Sequence, residues 1–255
     1  MDQVPLFASS LDPYMGRLTR RLAEVAESGA YILGPEVQAF EEEFARYLGV
    51  KHCIGVGNGT DALTIAVRAL GVEPGDEVVV PSFTFYATAE AVITAGAKPV
   101  FCDIDPETFC VTADTVRAAI TPRTKAIVPV HLFGNLAPMA ELRELGLPLL
   151  EDAAQAAGGS LDGVKAGALG DAATFSFFPS KNLPCLGDGG AITTDDDGVA
   201  ERARVLRFHG SRDKVTYEEV GYNSRLDALQ AGVLRELLLE LDGWNGARRR
   251  AAEAY

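Results

Sequence analysis

Residues 172–190 read Ala-Ala-Thr-Phe-Ser-Phe-Phe-Pro-Ser-Lys-Asn-Leu-Pro-Cys-Leu-Gly-Asp-Gly-Gly. The apolar run 172–178 predicts a buried strand, and Pro179, which has no N–H for a sheet ladder, predicts its end. The chain then carries Lys181 into a loop and returns through Gly187, Gly189 and Gly190. Two readings of this lysine stand side by side. It is a surface lysine at a hairpin tip, or it is held among apolar segments. In the second case desolvation favours the neutral amine, which can form a Schiff base with an aldehyde.

Working outward, short apolar runs at 52–56, 77–80, 99–103, 125–130, 148–151 and 172–178 recur along the chain. Helical patterns at 61–70, 86–95, 113–120 and 137–145 separate most of them. Strands alternating with helices predict an α/β fold with a mainly parallel sheet between helices. The runs are continuous and not two-residue periodic, as in strands buried on both faces. Upstream, Leu18, Leu22 and Val25 mark a helix ended by Gly29, and Val37, Phe40, Phe44 and Leu48 mark a second. Downstream, residues 228–255 predict one long helix interrupted at Gly243 and Gly246, with Leu229, Val233, Leu234, Leu237, Leu238, Leu241 and Trp244 on a broad apolar face.

Composition narrows the class. The chain has 255 residues, 47% of them hydrophobic, enough for one large core or two small ones. No apolar stretch reaches the length of a membrane span, and the opening Met1 to Pro5 lacks the basic-then-apolar layout of a signal peptide. Cys53, Cys102, Cys110 and Cys185 show no Cys-x-x-Cys spacing, so they read as reduced thiols of a cytoplasmic protein. A net charge of −13 argues against nucleic acid and anionic membrane as partners, but a local pocket can still take an anionic small molecule.

In a parallel sheet ligands collect at the carboxyl ends of the strands. After the first run comes Gly55-Val-Gly-Asn-Gly-Thr60, leading into a helix. It is either a phosphate seat of free N–H groups plus the Thr60 hydroxyl, or a tight turn with a Thr or Asp cap. Phe83, Phe85 and Tyr86 follow the second run, where an aromatic either stacks on a planar ring or fills core. Asp103 and Asp105 read as turn chemistry, and His131 as a cap on the turn before Gly134. Glu151-Asp152 directly follows four apolar positions. A carboxylate there needs a cationic partner, either a protonated pyridine nitrogen or a structural arginine.

A phosphate cup, an aromatic, a strand-end aspartate and a loop lysine, in that order, make the chain resemble the DegT/DnrJ/EryC1/StrS family of nucleotide-sugar aminotransferases. The matching stretches are 58–63 (Asn-Gly-Thr-Asp-Ala-Leu), 74–78 (Pro-Gly-Asp-Glu-Val), 151–156 (Glu-Asp-Ala-Ala-Gln-Ala), Ser176-Phe177, 181–183 (Lys-Asn-Leu), 187–190 (Gly-Asp-Gly-Gly) and 223–227 (Asn-Ser-Arg-Leu-Asp). The resemblance implies the large domain of a fold type I pyridoxal-phosphate transferase with a seven-stranded, mainly parallel sheet. It implies that Lys181 holds pyridoxal 5'-phosphate covalently and later shuttles a proton, and that Asp152 pairs with the pyridine nitrogen. Gln155 would contact the phenolic-oxygen side and Phe85 would stack on the ring. Gly59, Thr60 and Ser176 would hold the phosphate, helped by Asn223 from the neighbouring subunit of a homodimer with shared active sites. The implied reaction moves an amino group from L-glutamate to a 3-keto or 4-keto sugar nucleotide.

The same resemblance divides the chain into a helical arm (1–50), a cofactor-binding large domain (51–225) and a linker helix (226–255) toward a small domain. That domain would be roughly a hundred residues more, and without it weak activity or poor solubility is expected. Ala157 departs from the pattern, standing where many relatives carry histidine. A dehydratase branch of the family would have histidine in place of Lys181. Other fold type I enzymes leave the 58–60 and 223–227 stretches unexplained, and a non-catalytic or regulatory pyridoxal-phosphate-binding fragment is the alternative of a different class.

Overall fold

The computed structural model describes residues 11–255; Met1 to Pro5, read above for a leader, lies outside the described residues. Strands β1 (His52–Val56), β2 (Glu77–Pro81), β3 (Lys98–Cys102), β4 (Thr124–Ile127) and β5 (Leu150–Asp152) appear in order. A small hairpin follows, β6 (Ser160–Leu161) and β7 (Val164–Lys165), turned by Asp162 and Gly163, both at positive φ. Then come β8 (Ala172–Ser176) and β9 (Gly190–Thr194).

The ladders run β1-β9-β8-β5 and β3-β2-β4. Parallel bridges Ile127–Leu149 and Val130–Asp152, with the Ile127 N–H on the Pro148 carbonyl (2.9 Å), join the two. Seven strands thus form one sheet in the order β3-β2-β4-β5-β8-β9-β1, all parallel except β9. The expected mainly parallel seven-stranded sheet is the fold observed. The sequence runs did not locate its seventh strand, β9. Gly190, expected in the lysine loop, is paired with both Val56 and Ser176. A strand that begins with glycine and ends in two threonines lacks the apolar run used to find the others, yet all five residues are buried.

Side chains alternate between the two faces. Ile54, Val56, Val78, Val80, Leu150, Ala172 and Ile192 join one core with helices α3 (Gly59–Ala69), α4 (Ala87–Thr94) and α7 (Asp197–Arg207). On the opposite face, Val79, Ile127 and Leu149 pack toward α5 (Ala113–Ala119) and α6 (Met139–Arg143). Further along that face, Cys53, Ala173, Phe175 and Ala191 meet α1 (Met15–Ser28), α2 (Pro35–Leu48) and α8 (Ala228–Leu238). Helices on both faces explain why the strand runs are apolar without a two-residue period. The Phe44 ring centres the last cluster, with centroids of Phe40, Phe175 and Phe177 5.5, 5.0 and 5.6 Å away.

Helix starts follow local capping. The side chains of Asn58, Thr112, Asp196 and Asp227 accept from the N–H groups of Asp61, Thr115, Val199 and Gln230. The single helix expected over 228–255 is two: α8 stops at Leu238 and α9 (Leu241–Glu253) runs through Gly243 and Gly246. The break falls where Leu237 and Leu241 are fully buried and Leu239 is 76% exposed, so packing and not glycine sets it. No described helix is long and apolar enough to cross a membrane.

Glu77, at the start of β2, is a buried carboxylate that accepts from the Thr121 hydroxyl (2.5 Å), Arg123 Nη2 (2.6 Å) and Lys98 Nζ (3.3 Å). These donors, Thr121 foremost and then Arg123, hold its carboxyl down at about 2. Its folded value lies below the ordinary value of about 4.3, so its stabilising effect is complete above that and is lost as pH falls toward 2. Glu77→Gln is expected to lower the urea midpoint at pH 7, with variant and parent converging between about pH 4.5 and 2. A midpoint difference that stays constant over that range would contradict the assignment.

Candidate active site

Parallel pairing places the carboxyl ends of β1, β5 and β8 at one edge of the sheet. Val56, Gly190 and Ser176 lie side by side across three strands, and Asp152 pairs with Thr174, two residues before Ser176. The residues singled out after those strands therefore converge.

The glycine turn after β1 opens α3. Asn58 caps the Asp61 N–H (2.8 Å) and its carbonyl takes the Ala62 N–H (3.0 Å). The N–H groups of Gly59 and Thr60 belong to the helix's first turn, where no intrahelical acceptor exists. A Cβ on Gly59 would stand 2.6 Å from Ser176 Cβ, so only glycine lets the end of β8 lie against this helix start. Two backbone N–H groups and the hydroxyls of Thr60 and Ser176 give this corner the donors with which a helix start can hold an anion.

Asp152 ends β5 and is 5% exposed. Its Oδ2 accepts from the Thr88 hydroxyl (2.9 Å) and its Oδ1 from the Ala154 N–H (3.2 Å). Burial pushes its carboxyl above the usual range, against the pull of Thr88, Ala154 and Lys181. Lys181 answers from the loop after β8. That loop is pinned by the Phe177 N–H on the Gly189 carbonyl (2.8 Å), the Cys185 N–H on the Phe177 carbonyl (2.7 Å), and the buried Leu183 and Cys185. Burial lowers the Lys181 ammonium from its ordinary value while the Asp152 charge partly restores it. Lys181 does lie in the loop between the antiparallel neighbours β8 and β9, but its side chain is half-buried and not a fully solvated tip. Such a lysine has a larger neutral fraction, and hence more nucleophile and base, at neutral pH.

The remaining expected residues divide. Gln155 Oε1 accepts from the Phe133 N–H (2.9 Å), leaving its amide nitrogen to donate elsewhere. Phe85 is 72% exposed beside the first turn of α4, with Phe83, Phe109 and Phe133 exposed nearby in a chain of ring contacts. Asn223 is exposed and its side chain makes no hydrogen bond among the described residues, whereas adjacent Ser224 accepts from the Gly57 N–H (3.0 Å). Ala157 is buried in the core beneath the site. A cavity of about 550 Å³ lies away from all of these, beside His52 and Cys53 at the opposite end of β1.

Sequence reasoning missed Thr88, in the first turn of α4; its hydroxyl also lies 3.0 Å from that of Thr84, in the loop between β2 and α4. Glu151 and Asp152 also separate. Glu151 points to the opposite face, where its oxygens accept from the N–H groups of Gly167, Leu169 and Gly170 and from His131 Nε2, at 2.7–2.9 Å. Four donors replace the arginine weighed above. His131 does not cap the turn before Gly134 with its side chain as expected: the buried ring instead bridges Glu151 and the Ala137 N–H, which donates to Nδ1 (3.1 Å).

Comparison with known proteins follows the same lines. The pattern of the DegT/DnrJ/EryC1/StrS aminotransferase family matches residues 15–255. A "dTDP-3-amino-3,4,6-trideoxy-alpha-D-glucose transaminase" of Streptomyces venezuelae is 51% identical over 240 residues, 92% of this chain and 63% of the relative. A "Pleiotropic regulatory protein" of Geobacillus stearothermophilus is 50% identical over 242 residues, 93% of this chain and 65% of the relative. The chain thus spans a little under two thirds of the length of these relatives. The solved structure of S. venezuelae DesV in complex with a ketimine intermediate superposes with a TM-score of 0.96 at 47% identity, covering 99% of this chain and 70% of that one. By sequence and by fold, this chain belongs to the DegT/DnrJ/EryC1/StrS aminotransferase family.

Proposed function

We propose that the chain carries the catalytic large domain of an aminotransferase that moves an amino group, with pyridoxal 5'-phosphate, from L-glutamate to a keto-sugar nucleotide. The observation that carries this reading is that the buried Asp152 at the end of β5, and the loop after the adjacent β8 that carries Lys181, lie at the same sheet edge as the Gly59–Thr60–Ser176 corner.

The donor set fits that cofactor. Pyridoxal 5'-phosphate, when bound, supplies a protonated heterocycle that withdraws electrons from the carbon bearing the amino group. Asp152, desolvated and oriented by Thr88, is suited to hold a proton on a ring nitrogen, because a cation there relieves its buried charge. Gly59, Thr60 and Ser176 bind the phosphate. The free amide nitrogen of Gln155 donates to a phenolic oxygen, and Phe85 supplies an aromatic face. The Lys181 amine, lowered by burial, accepts a proton at the donor carbon and returns it at the acceptor carbon.

Residues 51–225 form the cofactor-binding unit in this reading, flanked by α1 and α2 before it and by α8 and α9 after it; residues 1–10 of the expected 1–50 arm lie outside the described residues. The exposed aromatic rim of Phe83, Phe85, Phe109, Phe133 and Phe178 suits cover by a second copy, in which Asn223 reaches the neighbour's phosphate. Four buried, unpaired cysteines accord with a cytoplasmic setting.

The regulatory name of a 50%-identical relative favours a second reading, a cofactor-binding protein without turnover. Purified chain loaded with pyridoxal 5'-phosphate separates the two. Glutamate is expected to bleach the visible band and yield 2-oxoglutarate, and a panel of keto-sugar nucleotides is then expected to give an aminated product by mass spectrometry. A band indifferent to glutamate, with no aminated product, would leave the regulatory reading.

A further inference from the structure

Beside the lysine loop lies a cavity of about 180 Å³ whose walls include Phe133, Gln155, Asn182, Asn245, Arg248 and Arg249. It shares Gln155 with the site above, and Asn182 directly follows Lys181. The last three residues come from α9. On a chain of net charge −13, this cavity is lined by two guanidinium groups and no carboxylate.

The arrangement is anchored. The side-chain amides of Asn182 and Asn245 both donate to the Ala157 carbonyl, the latter at 2.9 Å, which ties α9 to the loop carrying Lys181. Asp242, an acid earlier on α9, is occupied by the Tyr47 hydroxyl at 2.6 Å. Neither Arg248 nor Arg249 has a carboxylate partner among the described residues; Arg248 makes one long contact, 3.5 Å, with Asn245 Oδ1. Two unpaired guanidiniums at the mouth of a cavity on an acidic protein give a local field opposed to the global one, which admits an anion. Planar, multidentate N–H donors favour phosphoryl oxygens.

We infer that Arg248 and Arg249 bind the diphosphate of the nucleotide-sugar acceptor, an assignment that rests on the aminotransferase reading above. The carboxylate of the amino donor offers similar but smaller oxyanion chemistry. Two arginines on successive positions, with a second wall formed by Phe133, fit the larger and more highly charged group.

The test uses the full chain loaded with cofactor and two probes, uridine diphosphate and thymidine diphosphate, measured by titration calorimetry. The double variant Arg248→Ala/Arg249→Ala is expected to bind whichever diphosphate the parent binds about tenfold or more weakly. The double lysine variant is expected to fall between the two. Where turnover is measurable, KM for the sugar nucleotide rises while KM for glutamate moves less than twofold. Both arginines are exposed, so circular dichroism and melting are expected to match the parent. Unchanged diphosphate affinity in the double variant overturns the assignment, as does a parent that binds neither probe. A rise in the glutamate KM alone overturns it in favour of the donor carboxylate. A parent that binds diphosphate through these arginines yet ignores glutamate would uphold the site while sinking the aminotransferase reading.

Discussion

Replacing Lys181 with alanine is expected to abolish covalent attachment of the cofactor and to reduce turnover by roughly a thousandfold. Borohydride treatment of the loaded parent should fix the cofactor's mass on the peptide that contains residue 181, and no peptide of the variant should gain it. The fold itself should survive, because Lys181 lies in a loop anchored by Phe177, Leu183 and Cys185 and not by its own side chain. The loss has a second consequence at Asp152, whose carboxyl is already raised by burial and is partly restrained by the lysine charge. Without that cation the carboxyl should rise further. A raised folded value means that stability is lost as pH climbs from the ordinary carboxylate value through the folded one. The variant without cofactor should therefore weaken relative to the parent as pH rises above the ordinary aspartate value of about 4. Normal transamination by the variant, or a fixed cofactor on another lysine, would contradict the assignment.

The second large effect separates two adjacent carboxylates. Glu151→Gln is expected to destabilise the fold by about 2–4 kcal/mol, since each buried donor left without an acceptor costs about 1–3 kcal/mol. Both Glu151 oxygens accept two hydrogen bonds each, from Leu169 and Gly170 on one and from Gly167 and His131 on the other. His131 Nδ1 is an acceptor, so its Nε2 carries the proton and all four partners are donors. A glutamine must turn its NH2 group toward two of them. Asp152→Asn should behave in the opposite sense. It removes a desolvated charge from a buried site, so the cofactor-free chain should unfold at the same or a higher denaturant concentration. Cofactor affinity and turnover should fall because the ring nitrogen loses its anionic partner. Unfolding curves and cofactor titrations on both variants check this. Equal losses of stability and cofactor affinity in the two would show that the residues do not serve separate faces.

Much of this was legible in the chain because it depends on local chemistry. Mainly apolar runs marked six of the seven strands, since most of them are covered on both faces; the edge strand β3 (Lys98–Cys102), with Phe101 exposed, is the exception to that burial. Strand ends marked Asp152, Lys181 and the Gly59–Thr60 turn, because a parallel sheet presents its carboxyl edge to ligands. Thr88 and strand β9 escaped the same reasoning. A threonine in the first turn of a helix looks like any capping hydroxyl until another strand brings a carboxylate 2.9 Å from it. A strand of glycine, alanine and threonine looks like a loop until the strands on either side supply its ladder.

The sequence by itself determined the alternation of elements, the order of the strand-end residues and the family they spell. Those features arise from backbone propensity and apolar periodicity acting over a few residues at a time. Only the tertiary structure decided that Asp152 takes the Thr88 hydroxyl while Glu151 turns away to four donors, that α9 breaks from α8 at Leu239, and that Arg248 and Arg249 stand beside the lysine loop. Each of these depends on contacts between residues far apart in the chain, where packing and desolvation set the outcome and no local pattern carries the information.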